Sequence, residues 1–169
     1  MDSIEAEINN TDISENESIA ARFSYLDKEF VVHGKRNKKW GLKKLQIKDS
    51  QGKLNGVIDV NEYGVGTAKA LSPFYSLNTS KANTGEHVRS LIRNAIAEIV
   101  IQSPEEITWH SGIILNRKST RMYESLLNEI NTEGTRFNSL LIGYKWKSKV
   151  DGEDTVRYSI RRSNTAIPR

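Results

Sequence analysis

Seven apolar residues, Val88, Leu91, Ile92, Ala95, Ile96, Ile99 and Val100, recur at helical spacing near the middle of the chain. A stretch so patterned forms a helix with one broad apolar face, and that face needs a second layer to bury against. Asn83 with Glu86 three residues on marks its start, and Pro104 closes the connection behind it. The flanking sequence has the other period. Leu45 and Ile47 alternate with polar residues up to a turn at Asp49-Ser50-Gln51-Gly52, and Leu54 to Glu62 returns as a partner strand. Tyr63-Gly64-Val65-Gly66 is a further turn, and Thr67 to Leu71 supplies a third antiparallel strand ending near Pro73.

Beyond the long helix, Ile107 to Leu115 reads as a strand, and Asn116 starts a second helix with Met122, Tyr123, Leu126, Leu127 and Ile130 on its apolar face. Gly134 ends that region, and Phe137 to Lys147 and Thr155 to Arg161 form a closing hairpin around Asp151-Gly152. Upstream, Glu29 to His33 is a strand. Ser14 to Glu17 fits a capping box for a short helix carrying Ile19, Phe23 and Leu26, although Arg22 to Tyr25 also alternates as a strand does. The expected architecture is a mixed, mostly antiparallel α/β sheet of about six or seven strands with two main helices packed on it. Residues 21–162 form one domain, preceded by an acidic arm (1–20) and followed by a polar basic tail (163–169).

Composition narrows the chemistry. A chain of 169 residues, 37% hydrophobic and 27% charged, is large enough for one well-buried core and too apolar for a disordered chain. No apolar run reaches the roughly 20 residues of a membrane helix, and the polar start lacks a signal-peptide core. A cytoplasmic protein, or one carried within a viral particle, is expected. Cysteine is absent, and His33, His87 and His110 lack ligand spacing, so no thiolate chemistry and no metal site are expected.

The segment Asn116-Arg117-Lys118-Ser119-Thr120-Arg121-Met122-Tyr123-Glu124-Ser125-Leu126 matches, at every defined position, the pattern Asn-x-x-(Ala/Ser)-x-x-apolar-Tyr-Glu-x-Leu, directly after a strand. In this motif and in its order of elements the chain resembles the GNAT superfamily of acyl-CoA-dependent N-acyltransferases. The resemblance implies acetyl-CoA as cofactor, held between the strand before the long helix and the strand after it. It further implies that Asn116 and Ser119 contact the pantetheine arm, that Leu71 ends the strand whose backbone pairs with pantetheine, and that Tyr123 protonates the departing thiolate. Asn116 and Tyr123 lie about two helical turns apart and can share a side, and a phenol stays protonated at neutral pH. Tyr123 also lies on the apolar stripe, where packing is its alternative use.

The family's pyrophosphate loop corresponds to Ser80-Lys81-Ala82-Asn83-Thr84-Gly85, so Asn83, Thr84 and Gly85 are the implied phosphate-binding residues. Only the last glycine of the pattern is present, and Glu86 places a carboxylate where an anion should dock. Arg89 and Arg93 follow one and two turns down the helix. Phe74 to Thr79 implies an insertion beside the cofactor mouth. The two helices that normally wall the acceptor cleft have no room between Glu29 and Trp40. Glu62 and His110 are the nearest candidate general bases.

Charge is uneven: Asp2 to Glu17 is acidic, whereas Lys35 to Lys48 and Lys145 to Arg169 are basic. Lys35 to Lys44 suits an acidic acceptor or a nucleic acid, and the terminal arms suit a protein partner or an assembly. Three functions stand beside one another: an N-acyltransferase moving acetyl from acetyl-CoA to an amine, a non-catalytic GNAT-fold component of a viral particle or other assembly, and a nucleic-acid-binding or modifying protein on the same fold.

Overall fold

The computed structural model describes residues 18–37, 42–65, 68–76, 86–104, 106–111 and 117–163. The element order is β1 (Ser18–Tyr25), β2 (Lys28–Asn37), β3 (Leu42–Asp49), β4 (Leu54–Val65), β5 (Ala68–Ser76), α1 (Glu86–Gln102), β6 (Ile107–His110), α2 (Arg117–Ile130), α3 (Arg136–Leu140), β7 (Leu141–Val150) and β8 (Glu153–Arg162). The eight strands form one sheet ordered β1-β2-β3-β4-β5-β6-β8-β7. Every pairing is antiparallel except β5 with β6. This is the expected mixed, mostly antiparallel sheet under two main helices, with one strand more than the count from the sequence.

The extra strand is β1, where the capping-box reading put a short helix. It turns into β2 through Leu26 and Asp27, at φ 50° and 63°. Two successive left-handed residues form the turn that matches the twist of a hairpin, and an exposed leucine there carries a steric penalty. The strand is held from outside: Ala21 and Phe23 are buried in the core beneath α1, Phe23 stacks on Phe30, and Gln102 of α1 bonds both the backbone N–H and the carbonyl of Arg22. β1 begins at Ser18, three residues inside the stretch read as the arm; residues 1–17 lie outside the described residues, as does the tail from Asn164.

The expected hairpin of β7 and β8 is present, with Asp151 and Gly152 at φ 52° and 82°. Its first strand starts later than the sequence pattern suggests. Residues 136–140 are helical because the Thr135 side chain accepts a bond from Asn138 N–H while Phe137 is buried in the core.

Both main helices lie on one face of the sheet. The whole apolar stripe of α1 is buried, together with Met122, Tyr123, Leu126, Leu127 and Ile130 of α2. A Cβ built on Gly56 would approach Ile47 at 3.3 Å and Ile92 of α1 at 3.8 Å. One built on Gly143 would meet Leu127 and Ile130 of α2 at 3.2 Å, so α2 lies directly on the β7 backbone. One buried carboxylate anchors this layer: Glu98 of α1 accepts from both terminal nitrogens of Arg136 and from Gln102 Nε2. No helix among the described residues is long and apolar enough to cross a membrane.

Candidate active site at the opening of the parallel pair

β5 and β6 are in register over three residues only, Lys69 with Ile107, Ala70 with Thr108 and Leu71 with Trp109. Among the described residues the ladder ends there. β5 continues from Ser72 to Ser76 on β4, and the chain after Trp109 follows β8, with His110 opposite Ser159 and Ser111 N–H donating to the Tyr158 carbonyl at 2.8 Å. The end of this ladder lies at the carboxyl ends of the parallel pair, where α/β sheets form their ligand crevices. Pro73 supplies a local reason, since it has no N–H to give a ladder and is tolerated where a strand has an open side.

At the vertex stands a closed aromatic cluster. Trp109, the last residue of β6 in register with β5, donates its indole N–H to the Tyr123 hydroxyl at 2.9 Å, and both side chains are 0% exposed. An indole N–H is a donor only, so the Tyr123 oxygen accepts there and its own proton is directed elsewhere. The Tyr123 ring stacks on Tyr158 with centroids 5.5 Å apart and planes 8° from parallel. Tyr158 in turn donates to the Glu124 carboxylate, which Lys145 also reaches at 3.3 Å. Burial and the neighbouring carboxylate push the Tyr158 phenol up to about 12, while its hydrogen bond holds Glu124 below the usual carboxylate range.

A half-open pocket of about 330 Å³ lies between α1 and α2, lined by Arg89, Arg93, Thr120, Arg121, Met122, Glu124 and Ser125. Three guanidinium groups and one carboxylate are among its lining groups. Its walls are the first half of α1 and the turns of α2 that follow Asn116, which puts Arg89 and Arg93 beside the motif helix.

α2 begins at Arg117, immediately after Asn116. Ser119 is buried in its first turn. Leu71 lies at the last register position of β5 with β6, paired on its other side with Glu62. Asn83, Thr84, Gly85 and Asn116 lie outside the described residues, as do 77–79 of the expected insertion; Phe74 to Ser76 belong to β5. β2 and β3 are in register up to Asn37 and Leu42, so four residues separate them, too few for the two helices that the sequence reading found no room for. No cluster suited to a metal ion occurs among the described residues.

His110 is half-buried on the helix-free side of β6, with Nδ1 2.7 Å from Ser159 Oγ. Burial, and then the Arg157 charge, push its pKa below the ordinary 6.5. Between the folded and unfolded values the unfolded chain binds a proton that the folded one refuses, so stability falls as the pH drops through 6.5 toward the folded pKa. We expect urea midpoints measured across that window to decline in the wild type, and the slope to flatten in His110→Gln. Glu124 is shifted in the same sense and gives up its contribution at lower pH, as the pH falls below 4.5 toward its folded pKa.

No known family profile matches the sequence, and no characterised protein does. Solved structures overlap it loosely. The chain is distantly similar to GNAT-fold acetyltransferases. A chimera of the Vibrio cholerae spermidine N-acetyltransferase SpeG and hSSAT shares 13% identity over 76% of this chain and 71% of its own, at a TM-score of 0.40. The Vibrio cholerae enzyme in complex with CoA and spermine gives 15%, 72%, 66% and 0.39. Overlaps this loose leave activity and ligand to the chain's own residues.

The vertex cluster was not legible in the sequence. Trp109 carried only the alternation of a strand, and its partner lies fourteen residues away on another element.

Proposed function

We propose that this protein binds acetyl-CoA in the opening between β5 and β6 and moves the acetyl group to an amine. The observation that carries the reading is the three-residue register of the parallel pair, beyond which no described strand pairs with that side of β5 from Ser72 onward. Backbone groups so placed can pair with the amides of a pantetheine arm. On this reading the amine nitrogen forms its bond to the acetyl carbon as the carbon–sulfur bond breaks. Tyr123 returns a proton to the sulfur, and a base takes the one lost by nitrogen. Neutral His110, on β6 beside the vertex, is the described group best suited to be that base. Asn116, Ser119 and Leu71 position the arm, and Asn83, Thr84 and Gly85 hold the pyrophosphate, with Arg89, Arg93 and Arg121 facing the remaining phosphate.

Calorimetric titration of the purified chain with acetyl-CoA tests this directly. We expect saturable heat with a Kd of about 1 μM to 100 μM, or roughly 5 to 8 kcal/mol. A flat trace at millimolar ligand would remove the proposal.

A second reading, a non-catalytic GNAT-fold component of a larger assembly, is favoured by the four-residue β2–β3 connection and by the fully buried Tyr123. It predicts no acetyl-CoA heat together with concentration-dependent association in sedimentation.

A further inference from the structure

On the side of the sheet away from the helices, β6, β7 and β8 present a surface of which the proposed acetyl transfer uses His110 alone. Side chains alternate across a strand, so His110 of β6, Tyr144 and Trp146 of β7, and Arg157, Ser159 and Arg161 of β8 share this side, opposite the buried Trp109, Tyr158 and Ile160. Cross-strand register places Tyr144 and His110 on either side of Ser159, and Trp146 beside Arg157. Tyr144 is 40% exposed and Trp146 37%, unusual for rings of this size side by side on one strand.

Trp146 is held in position. Its indole N–H donates to Ser159 Oγ at 2.8 Å, the His110 ring meets it edge-on at 6.1 Å, and the Arg157 guanidinium lies 5.4 Å over its face. Arg157 is itself anchored by a 2.8 Å bond to the Ser111 carbonyl. A ring fixed by these contacts loses little entropy when a second flat group stacks on it. The cations on this side are Arg157 and Arg161; by the same alternation Lys145, Lys147, Lys149 and Arg162 lie on the helix side, where Lys145 pairs with Glu124. The three acids of the hairpin, Asp151, Glu153 and Asp154, all sit at its tip.

We propose that this face binds single-stranded nucleic acid, with bases stacking on Trp146 and Tyr144 and phosphates meeting Arg157 and Arg161. The two rings are one strand repeat apart, about 6.7 Å, so each can take a separate base. Aromatic platforms flanked by cations are how sheets hold single strands without reading their sequence. Duplex bases are stacked on one another and cannot use the rings, so single strands are preferred. Tyr144, Trp146, Arg157 and Arg161 have no part in the proposed acetyl transfer, and none of them lines the pocket between α1 and α2.

The test is fluorescence anisotropy of a labelled oligothymidine of about 12 nucleotides, within the usual span of such platforms, with the full chain. Binding should be saturable. With two phosphates neutralised, affinity should fall about 7-fold for a fourfold rise in salt. Trp146→Ala and Tyr144→Ala should each weaken binding by about tenfold or more, the loss expected for one stacked base. Trp146→Phe, which keeps the stacking surface but loses the bond to Ser159, should retain most of the affinity. All three variants should take up acetyl-CoA as the wild type does, which separates failure here from failure of the transferase reading. Unchanged affinity in both alanine variants, or no anisotropy change at low salt, overturns the proposal. So does a dimer that Trp146→Ala dissociates without any oligonucleotide binding, since the face would then join two copies of the chain.

Discussion

On the proposed function, Tyr123→Phe is expected to slow acetyl transfer by about 10²- to 10⁴-fold, the range for removing a general acid, without weakening acetyl-CoA binding. It should also destabilise the fold. The Trp109 indole N–H lies at a fully buried site and its partner there is the Tyr123 oxygen. Taking the oxygen away strands a donor in the interior, a cost of about 1–3 kcal/mol. Because either loss alone reduces measured activity, two readouts are required: single-turnover rates at saturating acetyl-CoA for the chemistry and urea midpoints for the fold. Adding Trp109→Phe to Tyr123→Phe removes the stranded donor, so the double variant should lose less stability than the sum of the single changes. Its rate should stay low. A Tyr123→Phe protein with undiminished kcat would make Tyr123 a core residue and nothing more.

The second large effect concerns Glu98. This carboxylate is buried in the middle of α1 and is neutralised from α3 by Arg136, whose own side chain is half exposed. Arg136→Met should cost about 3 kcal/mol, because an ionised group is left inside the layer with Gln102 as its remaining donor. Glu98→Met with Arg136→Met should recover most of that loss, since two apolar side chains of similar length need no compensation. Equal destabilisation of the single and double variants would mean that packing of the long side chains, not charge, matters here. The measurement is equilibrium unfolding at neutral pH.

Much of the layer structure was legible because it rests on local periodicity. The stripe from Val88 to Val100 is buried along its length, and the alternation of Leu45 and Ile47 puts both in the core. Asp151-Gly152 makes the turn that its residue types favour. The motif starting at Asn116 was legible as a helix after a strand, and α2 begins at the next residue. β1 was not legible. A Leu-Asp turn has no glycine to announce it, and its left-handed residues are tolerated only once β2 and α1 have fixed Ala21 and Phe23. The helical start of residues 136–140 escaped for a similar reason, since Phe137 fits a strand until Thr135 caps the turn before it.

The amino-acid order by itself determined which segments coil, which extend and which faces are apolar, because these depend on neighbours a few residues apart. The tertiary structure alone decided that β5 and β6 are in register as far as Leu71 and Trp109, that Trp109 takes the oxygen of Tyr123, and that Arg89 and Arg93 share a pocket with Arg121. It also brought Trp146, Arg157 and His110 onto one side of the sheet. Each of these joins residues distant in the chain, and distance in the chain sets no distance in space until the core has closed.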